Sequence, residues 1–436
     1  MRKRVAIATL GCKVNQADSA ALAEAVEGQG FVLVPFDEVA DIYIVNTCTV
    51  TGRTDSQSRQ LVRRAARRNP TASIVVTGCY AQISPEAIRS LPGVALVAGT
   101  AEKSRIHEML ADPERIRAGG VFVGDVSALH TFEGPIGLHS AGHTRAFLKI
   151  QDGCDAFCRY CIVPYARGPS RSLPLPDALA GLKDLASAGY RETVLTGVHL
   201  GAYGRDLDPP ADLPSLIESA ERQGGVRRLR LSSIEPREVT EGIIAQMRRS
   251  RFLCRHLHIP LQSGDSEILQ RMGRNYDGEF FLALLEAVVA AIPDIAVGAD
   301  VMAGFPGETS AQFENTCDLL LKAPVAYLHV FPYSDRPGTE ASRMSGKVAE
   351  MEKKRRSEIL RGIGKQKRRS FAGRFLGREL SVLIEGKKAG GFVRGFSDNY
   401  IPVALRHESL DLANHIVRVK AEGFDGGTLY GRIVGD

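Results

Sequence analysis

No run of apolar residues in this 436-residue chain is long enough to cross a bilayer, and no secretory leader opens it, which argues against a membrane-spanning or exported protein. Met1-Arg2-Lys3-Arg4 ahead of Val5 to Leu10 and Gly11-Cys12 has a superficial lipoprotein look. Its apolar stretch is too short, however, and Thr9 stands where leucine is expected, so the segment reads as a first strand. Charge of one sign is scarce as well. Lys and Arg number 56 against 50 Asp and Glu, a net +6, so a nucleic-acid partner has to be argued from where charge sits. Eight cysteines occur without a secretory context, which places them in a reducing cytoplasm and leaves nothing to support disulfides. With 44% hydrophobic and 24% charged residues, the remainder reads as a soluble globular protein of roughly two to four domains.

The most informative residues are Cys154, Cys158 and Cys161, a CxxxCxxC cluster directly after the apolar run Ala146 to Ile150. A strand ending in a short loop with three thiolates can hold three irons of a cubic iron-sulfur cluster, since each iron normally takes one cysteine. The fourth iron then lacks a protein ligand and can bind a small molecule and pass it an electron; S-adenosylmethionine is the usual one. Zinc is the competing reading, although structural zinc sites take four ligands and no second Cys/His half lies nearby in sequence.

From Val5 to Val97, three β-rich runs (Val5 to Thr9, Ile42 to Asn46, Ile74 to Thr77) alternate with helical stretches such as Ala17 to Gln29 and Gln57 to Arg68. That pattern predicts an open α/β sheet with parallel strands. Each run is followed within a few residues by a cysteine: Cys12, Cys48 and Cys79. Loops at the carboxyl ends of parallel strands share one sheet edge, so the three can converge as a second three-thiolate site. Three unrelated buried thiols are the bland alternative. Cys254 and Cys317 show no partner pattern and read as core.

Asp125 to Thr144, with Gly134-Pro135, Gly137 and Gly142, reads as a loop joining two domains. Six βα units follow, with strands at Ala146 to Gln151, Thr193 to Gly197, Arg228 to Ser232, His256 to Leu261, Ile295 to Val301 and Tyr327 to Phe331. They predict a TIM-like sheet, an open partial barrel with its active site at the strands' carboxyl ends. Polar or Gly-rich strand ends there (Thr196, Gly197, Ser233, Glu235, Gln262, Ser263) are suited to hydrogen-bonding a ribose, an amine or a carboxylate. Plain turns are the alternative reading of each.

Residues 353 to 378 carry eleven Lys or Arg against one acid, Glu358, with Ile359, Leu360, Ile363 and Phe371 near a helical period. Either a nucleic-acid contact or a solvated helix face fits that pattern. The remainder, Glu379 to Val434, predicts a small β-barrel with turns at Glu385-Gly386, Ser397-Asp398-Asn399 and Asp425-Gly426-Gly427. Phe392, Phe396 and Tyr400 are candidates for base stacking or for core. The expected units are 1–125, 140–372 and 373–436.

Several segments together resemble the radical S-adenosylmethionine methylthiotransferases, over nearly the whole length. They are Thr9-Leu10-Gly11-Cys12-Lys13-Val14-Asn15-Gln16, Asn46 to Thr51, Thr77 to Gln82, the cysteine loop through Pro164-Tyr165-Ala166-Arg167-Gly168, Thr196 to Gly204, Leu231 to Pro236, His256 to Gly264 and Gly304 to Thr309. Lys13-Val14-Asn15 and Val198 to Gly204 favour the type acting on threonylcarbamoyladenosine in tRNA over those acting on isopentenyladenosine or on a ribosomal-protein aspartate. The resemblance implies an α/β domain, a radical barrel and a C-terminal TRAM β-barrel thought to bind RNA. It also implies two 4Fe-4S clusters: one on Cys154, Cys158 and Cys161 that binds S-adenosylmethionine, with Tyr160 on the adenine, and one on Cys12, Cys48 and Cys79 that delivers a methylthio group. Expected partners are a tRNA anticodon stem-loop, a low-potential electron donor and a sulfur source. A non-catalytic, zinc-stabilised RNA-binding protein is the rival from another class.

Overall fold

In the computed structural model, the described residues are 2–134, 137, 144–389, 391–406 and 412–434, so Pro135 and Gly142 of the expected inter-domain loop lie outside them. The first unit is a six-stranded parallel sheet: β1 (Arg4–Thr9), β2 (Val32–Val34), β3 (Ile42–Thr47), β4 (Ser73–Gly78), β5 (Val94–Ala98) and β6 (Gly120–Phe122), in the order β2-β1-β3-β4-β5-β6. Strand β3, Ile-Tyr-Ile-Val-Asn-Thr, is buried throughout, as a central parallel strand covered on both faces should be. Sequence patterning found three of these strands. β2 and β6 are three-residue edge strands, too short for a periodic signal, and β5 is a five-residue apolar run that periodicity cannot separate from buried helix.

The second unit is built from β7 (Ala146–Lys149), β10 (Glu192–Thr196), β11 (Arg228–Leu231), β12 (His256–His258), β13 (Ala296–Ala303) and β14 (Tyr327–Pro332). They form two parallel three-stranded sheets, β11-β10-β7 and β12-β13-β14, joined by the single bridges Leu229 to Leu253 and Ser233 to His258. The result is the expected partial barrel, with β7 and β14 as open edges. Between β7 and β10, the short antiparallel pair β8 (Gln151–Asp152) and β9 (Arg171–Ser172) closes the base of the cysteine loop.

The sheet domain covers both open edges. Its helix Lys13–Gly28 packs on β7, where Lys149 Nζ reaches Asp18 at 2.6 Å. Beyond β14, Arg336 binds Thr49 Oγ1 at 2.6 Å and Asp55 Oδ2 at 2.7 Å, and Gly52 N donates to Ser334 Oγ at 3.0 Å. The gap in the barrel is therefore walled by the N-terminal domain.

The third unit is a closed five-stranded barrel of β15 (Glu379–Ala389), β16 (Phe392–Ser397), β17 (Pro402–Arg406), β18 (Ile416–Asp425) and β19 (Thr428–Ile433). The turn expected at Glu385-Gly386 is instead the interior of β15, where the register against β16 shifts between Glu385 and Lys388. Glycine there marks an irregularity within a strand. This unit docks on the amino ends of the larger barrel's strands. Arg230 Nη1 donates to Asp398 O at 3.0 Å, Arg228 to Ser381 Oγ at 2.6 Å, Asn399 Nδ2 to Asp294 O at 3.1 Å and Arg374 to Pro293 O at 2.6 Å.

Tyr400, in the left-handed region at φ 63°, is wedged into this floor. Its ring lies 4.6 Å from His256 and 5.0 Å from Phe396, and the Arg230 and Arg145 guanidinium groups sit over it. Phe396 and Tyr400 are thus inter-domain packing and not free stacking faces. Arg230 and Glu192, 1% and 0% exposed, pair at 2.7 Å beneath them. Removing one member of a buried pair leaves the other charge uncompensated, so Arg230→Ala should cost about 3–5 kcal/mol, read as a lower urea midpoint; an unchanged midpoint would show the pair is dispensable.

Candidate active site

The CxxxCxxC loop sits at the carboxyl rim of the barrel, as predicted. Gly153, at φ 72°, starts it in a conformation glycine favours, and an added Cβ there would meet Pro169 O at 1.8 Å. Phe157 also takes a positive φ, 41°, which turns the chain between Cys154 and Cys158. All three cysteines are free and partly exposed. Two donors face their sulfurs: Arg274 Nη1 lies 3.1 Å from Cys158 Sγ, and His199 Nδ1 lies 3.6 Å from Cys154 Sγ. Glu238 fixes His199 through Nε2 at 2.9 Å, and Glu235 pairs with Arg274. A cleft of about 590 Å³ opens beside the loop, lined by Cys158, His199, Asp206, Glu235, Glu238 and Arg274 among others.

Among the other predicted contacts, Glu235 alone lines this cleft. Tyr160 is half-buried beside the loop against Met272, Phe305 and Tyr333. Thr196 is buried at the end of β10, where its carbonyl accepts from Ile150 N at 3.0 Å. Gly197 is pressed against Gln151, whose Oε1 would be 2.8 Å from an added Cβ. Ser233 is exposed at its bridge to β12. Gln262 takes φ 68°, and its buried Oε1 has no hydrogen-bond partner. Ser263 is fully buried and serves the chain locally, accepting from Asp265 N at 3.2 Å.

Cys12, Cys48 and Cys79 occupy the carboxyl ends of β1, β3 and β4. Cys12 caps the helix Lys13–Gly28, and Cys79 opens the helix Cys79–Ile83. Gly11, at φ 99°, lets Cys12 approach Cys48: a Cβ on it would lie 2.8 Å from Cys48 Sγ. As free thiols, Cys12 and Cys48 are hard to ionise. Burial raises Cys12, which keeps solvent contact inside an enclosed space, and pushes Cys48 up to about 12, with Cys79 adding to both. Cys161 in the other trio is likewise pushed up to about 12, chiefly by burial. A bound metal would override this by deprotonating its thiol ligands.

Arg167, 1% exposed, joins the two trios. It ends the short helix Val163–Arg167 that follows the CxxxCxxC loop, and this helix packs on Cys79–Ile83. Its guanidinium reaches Asp152 at 2.7 Å, Asn15 at 2.5 Å and Asp18 at 3.2 Å; burial works against its charge, and the Asp152 and Asp18 carboxylates outweigh that and hold it protonated. Burial alone would raise Asp18, but Lys103, Lys149 and Arg167 overturn it and hold that carboxyl well below the usual range. Asp152 is also held low, with burial again outweighed by Arg167, Lys149 and Arg171. Arg167 therefore ties the helix that follows the first trio's loop to the helix that Cys12 opens, through Asn15 and Asp18.

The barrel lumen is polar. His258 Nε2 lies 2.8 Å and His329 Nδ1 3.5 Å from Asp300 Oδ1, and Tyr327 OH is 3.2 Å from His258 Nδ1. Lys13 points toward this region; burial, with Arg230 and Arg145 nearby, pushes its ammonium down to about 8 against the pull of Asp300 and Glu192.

A partial parallel barrel with three cysteines in the loop after its first strand defines a radical S-adenosylmethionine enzyme, and residues 148–320 match the family described as Radical SAM superfamily. That superfamily uses S-adenosylmethionine and a 4Fe-4S cluster; Cys154, Cys158 and Cys161 fit the cluster, being unpaired thiols with hydrogen-bond donors aimed at their sulfurs. Residues 4–99 match Uncharacterized protein family UPF0004. Over 421 residues, 95% of this chain and 93% of the relative, the chain is 39% identical to the threonylcarbamoyladenosine tRNA methylthiotransferase MtaB of Bacillus subtilis. It is 37% identical to MtaB of Thermotoga maritima over 97% of this chain and 96% of that protein. A tRNA-2-methylthio-N(6)-dimethylallyladenosine synthase of Thermotoga petrophila is 32% identical over 99% and 97%. Among solved structures, the radical S-adenosylmethionine methyltransferase TsrM of Kitasatospora setae aligns with TM-score 0.57 at 16% identity, covering 78% of this chain and 77% of that one, a likeness of fold. The chain belongs to the radical S-adenosylmethionine methylthiotransferase family, which removes the reading as a non-catalytic, zinc-stabilised protein.

Sequence reasoning did not single out Arg167, His199 or Arg274 as site residues. Arg167 and His199 lay inside quoted motifs, whereas Arg274 had only its neighbour Gly273 as a signal. No helix among the described residues is long and apolar enough to cross a membrane.

Proposed function

We propose that the protein transfers a methylthio group to carbon 2 of N6-threonylcarbamoyladenosine beside the anticodon of a tRNA, in the cytoplasm. What supports this reading is that the two cysteine trios lie at strand carboxyl ends of two packed domains, with Arg167 bridging those domains at Asp152, Asn15 and Asp18. Replacing an unactivated aromatic C–H by C–S is beyond side-chain acids and bases and calls for a radical cofactor. Cys154, Cys158 and Cys161 would hold the cluster that reduces S-adenosylmethionine, and Cys12, Cys48 and Cys79 a second one that presents the sulfur. Arg274 and His199 orient and neutralise the first trio's thiolates. Arg167 places a positive charge behind the second. Tyr160, Thr196, Gly197, Ser233, Glu235, Gln262 and Ser263 are the candidate contacts for S-adenosylmethionine; of these Glu235 lines the cleft, and Gln262, with its unpartnered buried oxygen, has the most to gain from a ligand. A low-potential donor and a sulfur source complete the reaction. The working units in this reading are 1–125, 140–372 and 373–436.

Identity of 39% to the Bacillus subtilis enzyme, against 32% to the Thermotoga petrophila synthase, favours threonylcarbamoyladenosine over the dimethylallyl substrate named for the latter. Mass spectrometry of tRNA nucleosides from a deletion strain tests this: the methylthio form of threonylcarbamoyladenosine should vanish while the unmethylthiolated form accumulates. Loss of a dimethylallyl or isopentenyl derivative instead would reassign the substrate.

For RNA, the basic helix Glu350–Gly373 narrows the contact. Lys353 and Arg356 are buried, bonded to Tyr333 O and to Glu308, so they are fold residues. Lys354, Arg361 and Lys365 are exposed, fall on one helical face and have no carboxylate partner. Reversing all three to Glu should weaken tRNA binding and flatten its salt dependence by about 2 in slope; unchanged affinity would identify a merely solvated face.

A further inference from the structure

Charges lining the barrel lumen are matched almost one for one. Arg230 pairs with Glu192 at 2.7 Å, Arg145 with Glu385 at 3.0 Å, His258 with Asp300 at 2.8 Å, and Lys149 with Asp18 at 2.6 Å. Lys13 is the exception. Half-buried at the first turn of the helix that walls the barrel's gap, it has no ion pair or hydrogen bond from its ammonium among the described residues. The groups facing it are Arg230, Arg145, Asp300 and Glu192; Glu192 is paired with Arg230 and Asp300 lies 2.8 Å from the His258 imidazole, and neither carboxylate bonds the ammonium directly. A half-buried ammonium with no direct hydrogen-bond or ion-pair partner is costly, and an anion that reaches it is correspondingly favoured. Lys13 also directly follows Cys12, so whatever it binds lies beside the proposed sulfur-delivering trio.

Resting on the proposed threonylcarbamoyladenosine substrate, we propose that Lys13 is the binding residue for the carboxylate of the base's N6 substituent. A threonine joined through its amine to a carbamoyl group keeps a free carboxylate, whereas a dimethylallyl group offers an apolar surface and no counter-charge. Carbon 2 and N6 belong to one adenine ring, so a substituent on N6 extends only a few bonds from the atom that receives sulfur. A backbone phosphate is the other RNA anion. It would have to be brought to Lys13 with its strand, whereas the carboxylate is carried in by the base that reacts. The lysine thereby selects between substrates by charge, since a site built to pair a polar group rejects the analogue lacking it.

The test uses reconstituted holoenzyme and anticodon stem-loop RNAs carrying threonylcarbamoyladenosine or the same nucleoside with its threonine carboxylate converted to the primary amide. Dissociation constants are measured by fluorescence anisotropy and methylthiolation by mass spectrometry, for wild type, Lys13→Met and Lys13→Arg, with iron content checked in each. Wild type should bind the carboxylate RNA about 10- to 100-fold more tightly than the amide. Lys13→Met should lose that preference and Lys13→Arg recover part of it. Indifference of wild-type protein to amidation overturns the proposal without recourse to any variant. A Lys13→Met loss equal for both RNAs also overturns it, pointing to a phosphate contact or damage at Cys12. If wild type methylthiolates neither RNA but does modify a dimethylallyladenosine stem-loop, the substrate reading fails and this inference with it.

Discussion

Replacing Cys158 with alanine should abolish both 5′-deoxyadenosine release and methylthiolation, by at least about 1,000-fold, whereas Cys48→Ala should abolish methylthiolation alone. The asymmetry follows from the two positions. Cys158 stands in the rim loop with Arg274 at its sulfur and the 590 Å³ cleft beside it, where S-adenosylmethionine has room to bind. Cys48 lies in the N-terminal sheet domain, packed against Gly11, next to Cys12. Its removal leaves the rim loop and its donors in place. Chromatographic assay of deoxyadenosine under dithionite, with and without tRNA, separates the two activities. Full methylthiolation by Cys48→Ala, or loss of deoxyadenosine release in Cys48→Ala protein that keeps its rim-loop iron, would show that the trios do not divide the labour this way.

Arg167→Ala is the second substitution expected to have a large effect. It removes a fully buried cation shared by Asp152 and Asp18, groups from two domains, and such losses cost about 3–5 kcal/mol. Lys149 and Lys103 would still neutralise Asp18, at 2.6 Å and 2.7 Å, so the fold should survive while its domain junction weakens. Proteolysis between the sheet domain and the barrel reports that weakening, together with a fall in methylthiolation. The pH dependence carries the same signature. Asp18 and Asp152 have carboxyls held below their unfolded values, so their contribution to stability is present above the ordinary carboxylate range and is lost as pH falls through and below it. Arg167→Ala should shrink this acid-side loss; an acid limb identical to wild type would place the linkage elsewhere.

Much of this architecture could be read from the chain because its signals are local. A cysteine just past an apolar run marks a strand end, and four such ends place the six cysteines on two rims. Residues acting across domains carry no such mark. Arg167 looks like one more arginine after a proline-containing turn, and only docking of the sheet domain on β7 brings Asn15 and Asp18 to its guanidinium. Tyr400 and Phe396 misled for the converse reason: aromatic residues on a small barrel suit either bases or a neighbouring domain, and composition cannot tell which. The basic helix was legible as a charge run but not as a divided one, since Lys353 and Arg356 turn inward to Tyr333 and Glu308 while Lys354 turns out.

The C-terminal barrel seated under the larger one has a consequence for traffic. With Tyr400 and the Arg230–Glu192 pair packed into the lower end, a nucleotide that reaches the barrel from the cysteine rim would leave by the same side. An adenosine stacked in an anticodon loop would then have to swing out of its stack to enter, and the finished base would have to back out before the next S-adenosylmethionine could take its turn.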